Sequence, residues 1–237
     1  MTTTPTVALI TGANKGIGKE IARGLARLGM TVLLGSRSRE RGERAAAELA
    51  SDGEVLFQQI DVTDGMSVNM AAQQIAERFG KLDILVNNAG TNVGRQKPSE
   101  VTAAEFRTVY ETNVFAVVTV IHTMLPLLRQ APAARIVNIS SLRGSLGSEG
   151  AFAGQPSMPY STSKTALNAI TLHYAHELAD TQIKINAGAP GFVATDFNNF
   201  AGTRTPEQGA VVAIQLATLG EDGPSGGFFD ENGPLPW

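Results

Sequence analysis

The chain predicts an α/β fold built on one doubly wound parallel sheet of about seven strands, with helices on both faces. Three observations carry this. Short apolar runs alternate with segments of helical periodicity along nearly all 237 residues, the pattern of parallel strands joined by crossover helices. A glycine cluster stands where the first apolar run gives way to the first helical segment. No Pro/Ser-rich linker, repeat or charge block interrupts the alternation, so residues 1–237 read as a single Rossmann-type domain.

The strand candidates are 7–10, 31–35, 55–60, 82–87, 135–139, 183–186 and 227–229. Most are continuous apolar runs rather than alternating ones, as expected of strands covered on both faces. Between them, apolar residues recur near helical spacing over 16–28, 39–50, 65–79, 103–129, 158–178 and 206–219. Ligands of such a sheet bind outside the carboxyl ends of its strands. The irregular stretches 91–99, 142–157 and 192–205 all follow strands, which makes them candidate substrate loops on that rim.

Composition narrows the chemistry. With 43% hydrophobic residues the chain can bury a substantial core, and a formal charge of -3 without a basic stripe argues against a nucleic-acid partner. Zero cysteines exclude disulfides, thiolate nucleophiles and thiolate metal sites. The first five residues lack the pattern of a signal peptide, and no run of about 18 apolar residues suggests a membrane span. A cytoplasmic protein with no membrane partner is expected.

After the first strand comes Gly12-Ala13-Asn14-Lys15-Gly16-Ile17-Gly18, running directly into a helical pattern. Glycines there permit positive φ and let backbone N–H groups approach a pyrophosphate at the helix N-terminus. The placement points to dinucleotide binding. The second strand ends at Gly35-Ser36-Arg37, where NAD-binding proteins usually carry a carboxylate for the ribose 2′-hydroxyl. Here Lys15, Arg37 and Arg41 could instead surround a 2′-phosphate, which favours NADP(H). Arg39 and Arg44, interleaved with Glu40 and Glu43, read as the solvated end of a helix.

Tyr160 and Lys164 open a helical segment one turn apart, on one face. A free phenol has a pKa of about 10, too high for ready proton exchange near neutrality. A cation roughly 4 Å away would favour phenolate by up to about 4 kcal/mol at an effective dielectric of about 20, against which burial works. The pair therefore predicts a tyrosine acid tuned downward by its lysine.

Together with the glycine turn, Asn87-Asn88-Ala89-Gly90 after the fourth strand and Ser140-Ser141 after the fifth, this pair makes the chain resemble the short-chain dehydrogenase/reductase family over nearly its whole length. Among its branches, NADPH-dependent carbonyl reductases are the nearest match. The resemblance implies reduction of a ketone or aldehyde to an alcohol, with hydride delivered from the pro-S face of the nicotinamide. It makes Tyr160 the proton donor, Ser141 the group that polarises the carbonyl, and Lys164 both the tuner of Tyr160 and a holder of the ribose. Asn113 matches the asparagine that supports a water chain to the lysine. Asp61 and Val62 would border the adenine, Asn88, Ala89 and Gly90 the adenosine ribose and pyrophosphate, and Pro190, Gly191, Val193 and Thr195 the nicotinamide end.

Eighteen residues, 142–159, separate Ser141 from Tyr160, more than in compact family members. This Gly/Ser-rich insertion predicts a mobile loop near the substrate and leaves monomer, dimer and tetramer all open. No metal is expected: His173, His176 and Glu177 lie on the helix of Tyr160, and the residue four beyond His176 is Asp180. Ser161 and Lys164 fit a Ser-x-x-Lys pattern, but its companion motifs are missing. The same machinery would also serve a 3-oxoacyl reductase or an alcohol dehydrogenase, and the fold could host a non-catalytic NADP-binding regulator.

Overall fold

A computed structural model describes residues 5–94 and 96–237. The N-terminal residues 1–4 and Arg95, within the 91–99 segment, lie outside the described residues. Strands β1 (Val7–Ile10), β2 (Thr31–Ser36), β3 (Val55–Gln59), β4 (Ile84–Asn87), β5 (Arg135–Ile139), β6 (Lys184–Gly188) and β7 (Phe228–Asp230) run parallel, in the order β3-β2-β1-β4-β5-β6-β7. An eighth strand, β8 (Gly233–Pro234), adds antiparallel to β7. Two residues ending in proline carry no strand pattern, which is why the sequence predicts about seven strands.

The helices are α1 (Gly16–Arg27), α2 (Arg39–Glu48), α3 (Gly65–Phe79), α4 (Ala103–Tyr110), α5 (Ala116–Leu128), α6 (Met158–Glu177) and α7 (Pro206–Ala217). Successive strand residues point to opposite faces, so β1 divides its side chains between two cores. Val7 and Leu9 join Leu33, Leu85, Ile136 and Ile185 beneath Ile75 of α3, Ile121 and Met124 of α5 and Leu167 of α6. Ala8 and Ile10 join Val32, Leu34 and Val86 beneath Ile21 and Leu25 of α1, Ala45 of α2 and Leu216 of α7. Both faces of the sheet are thereby closed to water.

Helix starts follow local chemistry. Ser38, Asp64, Thr102 and Thr205 each accept a backbone N–H of the first turn with their side chains, and Thr102/Glu105 and Thr205/Gln208 form reciprocal boxes. The single helix predicted over 103–129 is instead broken by a π turn, Glu111–Phe115, between α4 and α5. A one-turn widening barely disturbs apolar periodicity, so the pattern does not reveal it. The 103–128 run is also long and apolar enough to cross a membrane by length and composition alone, a test that the core helix of a folded domain also passes. In this structure Val117, Val120, Ile121 and Met124 of that run face the sheet.

Arg135 is buried at the start of β5, with its guanidinium donating to five carbonyls, those of Ala133, Ala134, Gln182, Leu219 and Gly220. It ties the entry to β6 and the exit from α7 to the amino end of the sheet. Replacing Arg135 with Met should lower unfolding stability by about 2–4 kcal/mol, because it strands buried acceptors. Urea denaturation of the two proteins measures this.

Candidate active site

The turn from β1 into α1 is shaped for an anion. Gly12 and Gly16 have φ of 63° and 57°, and a Cβ on Gly18 would lie 2.4 Å from the Asn88 carboxamide nitrogen. Unlike the capped helices, α1 begins at Lys15 with no side-chain hydrogen bond to its N–H groups and no acidic residue in its first turn. The positive end of this 12-residue helix is therefore left without a side-chain cap, with Asn14 and Ile17 flanking Lys15 and Gly16 in the sequence. A cleft of about 330 Å³ opens beside this turn, lined by Asn14, Lys15, Gly16, Lys19 and Arg44 among others; Tyr160, Ser141 and Lys164 lie outside it.

Asn88 anchors the turn from β4. Its carboxamide donates to the carbonyls of Thr11 (2.8 Å) and Gly12 (3.2 Å), while Thr11 Oγ1 accepts from the backbone N–H of Asn88 and Ala89, both at 3.0 Å. Gly90 follows, and a Cβ there would lie 3.5 Å from Asn113 Oδ1 and 3.9 Å from Lys164 Nζ. At the end of β2, Arg37 and Arg41 are exposed, and no ion pair involves either among the described residues. Lys15 does not join them: it pairs with Asp196 across the rim. Asp61 caps its own turn, accepting from the backbone N–H and hydroxyl of Thr63, and Val62 packs against the core.

Tyr160, Ser141 and Lys164 come together where β5 and α6 meet. The Tyr160 hydroxyl shares a hydrogen bond with Ser141, and Ser141 Oγ also accepts the backbone N–H of Arg143 at 3.2 Å. Lys164 Nζ is buried, donates to the Ile139 carbonyl at 2.7 Å and lies 5.6 Å from the centre of the Tyr160 ring. Ser140 Oγ donates to Asn168 Oδ1, whose carboxamide donates on to Gly144, fixing the turn that carries Ser141 against α6. Asn113 is fully buried in the π turn. Its Oδ1 accepts from Thr91 N at 2.8 Å, and its Nδ2 donates to the Thr91 carbonyl and to Ser163 Oγ. It thus ties backbone to α6 and reaches the lysine's surroundings through Gly90.

The electrostatics correct one expectation. Although part of the Tyr160 surface is exposed, the protein packed around its hydroxyl raises its pKa above the usual phenol value, against the lowering effects of Ser141 and the Arg143 charge. Lys164 lies over the ring rather than beside the oxygen, and burial lowers its own pKa to about 8. Desolvation outweighs the effects that lower the phenol, and those come from Ser141 and Arg143 rather than from Lys164.

On the opposite wall, Gly191 has φ of 79° and follows Pro190, Val193 pairs with Arg204, and Thr195 lies against Gly16. The Phe197 ring packs 5.6 Å from that of Tyr160. Phe152, Phe192 and Phe197 are exposed on this side, while Met158 is partly buried. The 142–159 insertion, expected to be mobile, contains two 3₁₀ turns and is tied to the far end of the chain: Ser145 Oγ donates to the Pro236 carbonyl and Gly147 N to that of Trp237.

A family model described as short chain dehydrogenase matches residues 6–205. The chain belongs to the short-chain dehydrogenase family. Relatives of this short-chain dehydrogenase include the short-chain dehydrogenase anuI of Penicillium roqueforti, 37% identical over 92% of this chain and 90% of its own length. Carbonyl reductase 1 of Mus musculus, whose name specifies NADPH, is 31% identical over 100% of both chains. Among solved structures, the NADPH-bound carbonyl reductase from chicken fatty liver superposes with a TM-score of 0.87 at 27% identity, covering 99% of each chain.

Sequence reasoning missed Arg143, Asn168 and Asp196 as neighbours of these groups. Arg143 is the one with a readable signal, being a lone cation two residues from Ser141. Because the folded pKa of Lys164, about 8, lies below its ordinary value of 10.5, the unfolded chain binds more protons between those limits. Stability of the wild type relative to Lys164→Met should therefore rise from pH 8 toward pH 10 and be flat below pH 7, changing by at most about 3 kcal/mol. Denaturation midpoints of both proteins across that range measure this.

Proposed function

We propose that this short-chain dehydrogenase is an NADP(H)-dependent carbonyl reductase that converts a ketone or aldehyde to an alcohol, with Tyr160 as the proton donor. The observation that carries the reading is the hydrogen bond between Tyr160 and Ser141 above the buried Lys164. These two hydroxyls can hold one carbonyl oxygen between them. The uncapped amino end of α1 and the glycines behind it fit a pyrophosphate. Arg37 and Arg41 fit a ribose 2′-phosphate in a position where a carboxylate would repel it. The relatives named for NADPH support the same cofactor.

Bound NADPH supplies the hydride that reduces the carbonyl carbon. Tyr160 gives its proton to the oxygen as negative charge builds there, and its raised pKa keeps that proton in place at neutral pH until it is needed. Ser141 donates a second hydrogen bond to the same oxygen, stabilising the developing alkoxide. Lys164, held on the Ile139 carbonyl, presents its cation to the phenolate left behind and to the ribose hydroxyls. Asn113 positions the Thr91 backbone and the helix that carries Tyr160. Asn88 and Ala89 shape the pyrophosphate side of the crevice, and Pro190, Gly191, Val193 and Thr195 its nicotinamide side.

Two substitutions test this. Tyr160→Phe should remove NADPH-dependent reduction across a panel of ketones, aldehydes and quinones, to below a few per cent of wild type, while NADPH binding by fluorescence persists. Should the wild type bind NADPH and reduce nothing on that panel, a non-catalytic NADP-binding role replaces the reductase. Arg37→Asp should reverse the cofactor ratio, lowering kcat/KM for NADPH by about 10-fold or more while sparing NADH. Equal use of both cofactors by the wild type would sink the NADP(H) assignment.

A further inference from the structure

Arg143 belongs to the 3₁₀ turn Leu142–Gly144 that follows Ser141 and opens the insertion. Its backbone holds Ser141 Oγ, so the residue starts inside the catalytic turn. Its side chain reaches across the insertion, where Nη2 donates to the Ala153 carbonyl at 2.6 Å. This path leaves a partly buried guanidinium close enough to Tyr160 for its charge to act on the phenol. Two other cations near this wall are paired, Lys15 with Asp196 and Arg204 with Glu231. No ion pair involves Arg143 among the described residues.

A guanidinium has five N–H donors in one plane, and the bond to Ala153 uses one. What remains is a planar donor edge carrying an unbalanced charge, partly shielded from water, on the turn that begins at Ser141 and within electrostatic range of the Tyr160 hydroxyl. Planar, bidentate recognition is what guanidinium offers a carboxylate, and partial burial makes such a pair stronger than one in water. The exposed rings of Phe192 and Phe197 supply apolar surface for the rest of the molecule.

We propose that Arg143 makes this site selective for carbonyl compounds that carry a carboxylate next to the reacting carbonyl, the guanidinium pairing with the carboxylate while Tyr160 and Ser141 hold the ketone oxygen. The inference rests on the reductase reading of the site. It assigns a substrate class, the 2-oxo acids, with an aryl or extended alkyl group favoured on the other side.

Binding to the NADP⁺-loaded protein tests it without turnover, since NADP⁺ carries no hydride to give. Calorimetric titration with benzoylformate and with its methyl ester compares one shape with and without the charge. The wild type should bind the acid tighter than the ester by about tenfold or more. Arg143→Gln, which can still donate to Ala153 but has no charge, should lose that preference, and Arg143→Lys should keep part of it. NADP⁺ affinity within about threefold of wild type shows that the variants are folded; Arg143→Met, with the same expectation, replaces Arg143→Gln if the latter is not. A wild-type preference below about twofold, or one that survives Arg143→Gln, overturns the proposal. Failure of the reductase reading would show separately, as NADPH binding without turnover on the carbonyl panel.

Discussion

The Thr11 hydroxyl accepts the backbone N–H groups of Asn88 and Ala89, and the Asn88 carboxamide donates back to the carbonyls of Thr11 and Gly12. These bonds join the carboxyl ends of β1 and β4, the two strands between which the chain reverses its direction of travel across the sheet. From there the connections leave in opposite senses, so a crevice opens above the junction. Gly18 must lack a side chain for Asn88 to reach Thr11, and Gly12 must turn left-handed over Ala89. The glycine turn after β1 and the start of the loop after β4 are therefore set by one polar clamp rather than by separate packing.

Chemistry at the rim is built on the same economy of supports. A single helix, α6, carries Tyr160 and Lys164, and Asn168 on that helix holds the turn bearing Ser141. Asn113 reaches the helix through Ser163 because the π turn rotates it out of the α4–α5 register. Burial, meanwhile, pushes the two titrating groups apart: the phenol upward and the ammonium down to about 8. A neutral tyrosine above a lysine that still carries its proton at pH 7 is the state in which a proton can be given and then replaced.

What could be read from the residues is what is local or periodic. β1, β2, β4 and β5 announce themselves as apolar runs, and Tyr160 and Lys164 fall on one face because four residues make about one helical turn. The π turn escaped because it shifts the apolar stripe by less than the stripe's own width. β8 escaped because its pairing depends on β7, not on its own side chains. The pairing of Lys15 was illegible for a related reason: its partner, Asp196, lies 181 residues away, and no spacing rule links them. The direction of the Tyr160 shift depended on how much protein surrounds the hydroxyl, a quantity that only the packed structure contains.

The pairing of Lys15 with Asp196 also connects two properties usually handled apart. Lys15 precedes α1, whereas Asp196 opens the short turn bearing Phe197, whose ring leans on Tyr160. The ion pair between them joins the turn after β1 to the turn that packs on the tyrosine. Changing residue 15 would thus remove a contact of the opposite wall as well as a charge beside the glycine turn.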